Sequence, residues 1–112
     1  MPIACVTPCV VVSDCVDDTD TLRLADIRLP AAGWGGKDGT VTNSERCISR
    51  QRAFLPLPGE AKPDWWALSQ VAKHLGHAQA FDYSNSAAIF REHAALSAFE
   101  NNGSRDFDIG AL

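Results

Sequence analysis

The hydrophobic residues of this chain fall into short blocks separated by polar or glycine- and proline-rich segments. Pro8 to Ser13 reads PCVVVS, an unbroken apolar run rich in β-branched residues, and predicts a buried strand of a parallel sheet. Ala25 to Pro30 alternates weakly and ends on a proline, which predicts a second strand. Between them, Asp17, Asp18, Thr19, Asp20 and Thr21 supply capping and turn chemistry, with a short helical turn over Thr21 to Ala25. Thr40-Val41-Thr42 suits one strand of a hairpin, and Glu45 to Phe54 is extended or irregular. Pro56, Pro58, Gly59 and Pro63 make Leu55 to Pro63 a rigid, non-helical connector. A helix follows over Trp65 to Leu75, with Asp64 as N-cap and Gly76 as stop. Trp65, Leu68, Ala72 and Leu75 share one of its faces, with Val71 beside them. A second helix spans Ser86 to Ser97, with Ile89, Phe90, Ala94 and Leu96 as packing residues. The tail, FENNGSRDFDIGAL, reads as loop, and there is no internal repeat.

One stretch fits neither periodicity. Leu29 to Arg52 reads LPAAGWGGKDGTVTNSERCISRQR. Gly33, Gly35, Gly36 and Gly39 surround Trp34 and Lys37, so the backbone is free to take positive φ and to approach another surface closely. Such a segment either contacts a ligand or is a plain hairpin loop.

Composition and charge narrow the classes. The length allows one domain, and 46% hydrophobic with 21% charged residues excludes a disordered chain. No apolar run reaches the length of a membrane span, and the start lacks the features of a secretory signal, which points to the cytoplasm. The net charge of −4 is segregated: residues 31–62 carry five basic against three acidic side chains, while both flanking segments are acidic. The glycine-rich stretch is thus the net positive part, suited to a phosphate-bearing ligand but too weakly basic for nucleic acid. Cys5, Cys9, Cys15 and Cys47 match no zinc or iron–sulfur spacing and read as buried or half-buried free thiols of a reducing compartment. His74 and His77 read as a solvated helix end, and His93 has no partner at metal-ligand spacing.

Ser13 and Asp14 close the first strand. Ligands of open α/β sheets gather outside the carboxyl ends of strands, where an acidic residue meets ribose or base; a turn-forming or helix-capping Asp is the alternative.

The segments VVVSD, TDTLRLADIRLPAAGWGGKDGTVTNSERCISRQRAF and PGEAKPDWW together resemble the catalytic subunit of molybdopterin-dependent oxidoreductases of the dimethyl sulfoxide reductase superfamily. With FREHAALSAFENNGSRDFDIGAL the resemblance narrows to bacterial assimilatory nitrate reductases. It covers nearly the whole chain and fixes many loop residues at once. Residues 1–112 then look like one internal fragment of a much longer subunit. The implied fold is α/β, a partial dinucleotide-binding-like (Rossmann-like) domain with short parallel strands, a glycine-rich loop and two helices. The implied cofactor is molybdenum bis(molybdopterin guanine dinucleotide), with a 4Fe–4S iron–sulfur cluster bound elsewhere in the parent. The implied cofactor contacts are Ser13, Asp14, Lys37 and Asp64, with Asn43 and Arg46 behind them. A carboxylate accepts hydrogen bonds from the guanine edge or ribose, and a lysine is a flexible cation for a phosphate or the pterin edge. No residue reads as a general acid, base or nucleophile.

By resemblance the parent reduces nitrate to nitrite and takes electrons from a donor protein or domain, and this segment packs against the rest of the subunit. The alternatives are a formate dehydrogenase or other molybdopterin oxidoreductase, or a small binding protein without activity. Two positions depart from the family pattern: Gly36 replaces an acidic residue, and Cys47 replaces the second arginine of a Glu-Arg-Arg run.

Overall fold

The computed structural model describes residues 8–97, 99–102 and 104. Two small sheets and three α-helices alternate along it. Strands β1 (Val11–Asp14) and β2 (Ile27–Pro30) pair in parallel, with Val11 opposite Ile27 and Asp14 opposite Pro30. The crossover carries helix α1 (Asp20–Arg23), whose N-cap Thr19 accepts from the Leu22 amide. Ala31 continues the parallel pairing onto Lys62 on the other side of β2. The Ala32 amide donates to the Lys62 carbonyl at 2.9 Å, and the Lys62 amide to that of Pro30 at 3.1 Å. The proline connector therefore returns to the sheet before helix α2 (Asp64–His74) starts.

The second sheet is the antiparallel hairpin of β3 (Gly39–Thr42) and β4 (Ile48–Gln51). Its turn is built by Asn43, whose Oδ1 accepts from the amides of Glu45 and Cys47. Arg46 closes the turn at φ 65°, a left-handed conformation that costs a residue with a Cβ and suits glycine. Helix α3 (Ser86–Leu96) lies against β3, and its N-cap Asn85 accepts from the Ala88 amide at 3.0 Å. α2 ends at Gly76, φ 90°, with the His77 amide reaching back to the Ala72 carbonyl.

Several expectations change. The first strand is shifted to Val11–Asp14 and is not buried: Val11 is 52% exposed. Described cysteines Cys9, Cys15 and Cys47 are exposed free thiols rather than buried ones; Cys5 lies outside the described residues. Asp64 is the first residue of α2, not its cap, because Pro63 takes the extended cap conformation. The buried line of α2 runs through Ser69 and Ala72, while Leu68 and Leu75 face solvent. A third, four-residue helix, α1, joins the two long ones, and an antiparallel hairpin sits beside the parallel pair. Most of the tail lies outside the described residues.

One physical fact accounts for the burial differences. Among the described residues many large apolar side chains are exposed, Leu24, Phe54 and Leu75 at 78%, 74% and 70%. Only small residues and Leu22 are buried among the described apolar side chains. The apolar stripes therefore have the right periodicity but little within the chain to pack against.

Candidate functional site

The glycine-rich stretch is shaped by its own connector. Trp34–Gly36 forms a 3-10 turn. The Phe54 and Leu55 amides both donate to the Gly35 carbonyl at 2.9 Å, and Gln51 Nε2 donates to the Trp34 carbonyl at 2.6 Å. A Cβ on Gly35 would lie 2.7 Å from Leu55 Cδ1, and one on Gly36 would lie 2.7 Å from Leu57 Cδ2. These two glycines make room for Leu55 and Leu57, and none of the four in the loop has positive φ. Gly36, where the family pattern has an acidic residue, thus fits the Leu57 side chain.

From this tethered turn, successive side chains reach the starts of both long helices. Lys37 Nζ donates to Asp64 Oδ2 at 2.7 Å, on the first residue of α2. Asp38 Oδ2 accepts from Ser86 Oγ at 3.2 Å, on the first residue of α3. Asp64 also lies in the first helical turn, where the helix dipole favours a negative charge. Between these contacts opens a cleft of about 420 Å³, lined by Lys37, Asp38, Asp64, Trp65, Phe90 and His93 among others. Its mixture of charged groups and aromatic faces suits a polar ring system better than a simple anion.

Ser13 and Asp14 sit elsewhere. Asp14 lines a second cleft of about 350 Å³ with Cys15, Arg28, Pro30, Pro58 and Ala61. One carboxylate oxygen, Oδ1, accepts from the Val16 amide at 3.1 Å, so the turn-forming alternative is realised; Oδ2 has no partner among the described residues. Register links the two clefts. Asp14 pairs with Pro30, the next residue bridges to Lys62, and Asp64 follows two residues later. Asp14 and Asp64 thus lie at the same, carboxyl end of the parallel strands, the end at which α/β sheets bind ligands. Lys37 and Asp64 are brought into direct contact; Ser13 and Asp14 are not brought to them. Asn43 and Arg46 form the hairpin turn, and neither lines these clefts.

Asp38, Ser86, Phe90 and Gln51 were not singled out by sequence reasoning as site residues. Asp38 carries a signal, since it adjoins Lys37 in the only net positive segment. Ser86 and Gln51 carry none, because their roles depend on partners 48 and 17 residues away. Among the described residues no group of three or more His, Cys, Asp or Glu side chains could hold a metal ion, and no helix is long and apolar enough to cross a membrane. The clefts offer carboxylates, a lysine and aromatic faces, a donor set that fits the organic arm of a nucleotide-like cofactor.

Comparison with known proteins accords with that donor set. The chain is 60% identical over 105 residues to a nitrate reductase of Klebsiella oxytoca, covering 94% of this chain and 12% of the relative. It is 59% identical over 91 residues to a nitrate reductase of Shewanella frigidimarina, covering 81% and 10%. An F420-dependent formate dehydrogenase subunit alpha of Methanococcus maripaludis is 43% identical over 78 residues, covering 70% and 12%. The chain therefore spans about a tenth of the length of the curated relatives it matches. No solved structure matches. The family model described as molybdopterin oxidoreductase matches residues 6–74, from ahead of β1 to the end of α2, so both clefts draw on the matched segment and the chain belongs to the molybdopterin oxidoreductase family.

Proposed function

We propose that this chain is a segment of the catalytic subunit of a molybdenum-dependent nitrate reductase, and that it forms the binding wall for one molybdopterin guanine dinucleotide. The observation that carries the reading is that Asp14 and the Lys37–Asp64 pair lie at the same carboxyl end of the parallel strands, each lining its own cleft. The identity to two nitrate reductases supports nitrate as the substrate. Asp14 and Asp64 are the acceptors for guanine or ribose donors, Ser13 lies next to Asp14 on β1, and Lys37 joins the same wall with its ammonium on Asp64. Bound cofactor supplies the redox chemistry that turns nitrate into nitrite. This segment's own work is to bind and orient it. The iron–sulfur cluster, the electron donor and a cytoplasmic setting belong to the parent subunit in this reading.

Asp14→Ala and Lys37→Ala in the full-length subunit are expected to lower guanine nucleotide content, molybdenum content and nitrate reduction together. Full cofactor occupancy in both variants would sink the assignment. A formate dehydrogenase is the second reading, favoured by the 43% identity to the Methanococcus protein. Assay of the same subunit with formate and with nitrate separates the two.

A further inference from the structure

We infer that Lys37 is a positioning residue for Asp64, and that the dipeptide Lys37-Asp38 is the clamp that spaces the two helix starts around the larger cleft. The inference rests on the reading of Asp64 as a cofactor contact. Lys37 does not extend freely into the cleft. Its ammonium sits 2.7 Å from Asp64 Oδ2, bridging segments 27 residues apart. The backbone that carries it is held in place: the Lys37 amide donates to the Trp34 carbonyl, Gln51 holds that same carbonyl, and two further amides hold Gly35. Asp64 has no other partner among the described residues, so Lys37 alone orients its carboxylate. Oδ1 is left as an acceptor on a residue that lines the cleft. The next residue, Asp38, makes the matching bond to Ser86 on α3. An independent phosphate-binding lysine needs a free ammonium. This one is matched in charge by Asp64, and the pair together contributes orientation rather than net positive charge.

Two measurements test this. Treating the full-length subunit with a water-soluble carbodiimide is expected to form a zero-length amide between Lys37 and Asp64, found as a linked peptide by mass spectrometry and lost in D64N. Absence of that link overturns the inference. Guanine nucleotide retained after gel filtration is then measured on the full-length subunit for K37M, K37R, D64N and K37M/D64N. K37M is expected to weaken retention roughly twofold to fivefold. K37R is expected to restore most of it, and the double variant should be no worse than D64N. Losses that multiply mark two independent contacts and overturn the positioning role. Full retention in D64N, with the cross-link formed, identifies the cofactor reading of Asp64 as the part that failed and removes the positioning role with it.

Discussion

The two halves of this chain differ in how far their polar side chains reach. From Val10 to Ala32, side chains mostly bond to their own neighbourhood. Asp14 caps the Val16 amide, Thr19 caps Leu22, and Arg23 pairs with Asp18 and Asp20 within five residues. Asp26, which accepts from the Val10 amide, is the exception. From Gly33 onward, Asn43, Ser69 and Asn85 still bond within their own turns, but Lys37, Asp38 and Gln51 reach partners 27, 48 and 17 residues away. The first half is a set of local turns on a two-stranded sheet. The second is a junction where loop, hairpin and two helices meet. A site built at the junction is sensitive to every element that converges there, whereas Asp14 depends chiefly on its own strand end.

The comparison breaks most severely at Gly35. A valine there would drive its side chain into Leu55 and Phe54, and such overpacking costs about 1–3 kcal/mol. The expected signature is local: the Phe54 and Leu55 amides, bonded to Gly35, lose hydrogen-exchange protection while the Leu22 amide in α1 keeps its rate. Equal loss in both regions would show that the halves are not separable.

Next in size is the open surface. Leu68 and Leu75 lie 66% and 70% exposed on α2, and patches of that kind on an isolated chain drive association. Light scattering is expected to show concentration-dependent oligomers, reduced by L68E/L75E. A cooperative monomeric transition in the unaltered chain would favour a self-sufficient small protein instead.

The caps sharpen the comparison further. Asn85→Ala removes the acceptor for Ala88 and is expected to cost about 1 kcal/mol of α3 stability. In the hairpin, Arg46→Gly relieves a left-handed residue at φ 65° and is expected to stabilise by about 1 kcal/mol or less. Both are read from exchange rates of the flanking amides.

The smallest effect concerns Tyr83, the chain's single tyrosine. Its phenol donates to Glu92 Oε2 at 2.7 Å, and this bond, with desolvation and the carboxylate charge, raises its pKa above the ordinary 10.0. The folded value exceeds the unfolded one, so the contribution to stability is complete below pH 10.0 and is lost as pH rises through the folded value. Phenolate absorbance is expected to rise with a midpoint above that of free tyrosine, and to return to the ordinary value when Glu92 is changed to Gln.

Much of this architecture was legible in the chain itself. A β-branched run specifies β1, weak alternation ending on Pro30 specifies β2, Gly76 marks the end of α2, and the prolines rule out a helix over the connector, because each acts through its own backbone dihedrals and nearest amides. The nearness of Asp14 to a strand end follows from the same local rules. Three features lay beyond those rules. The glycines at 35 and 36 were read as room for a ligand, yet they admit Leu55 and Leu57, since the approaching surface comes from 20 or so residues later in the chain. Burial along α2 depends on what packs against it, so the chain shows its apolar stripe but not which of those residues stay exposed. The meeting of Lys37 with Asp64 arises because the connector pairs with β2 through Lys62 before releasing α2. Dihedral preference and capping act over a few residues and are written in the chain; charge pairing and close packing act through space, and need the folded chain to name the partner.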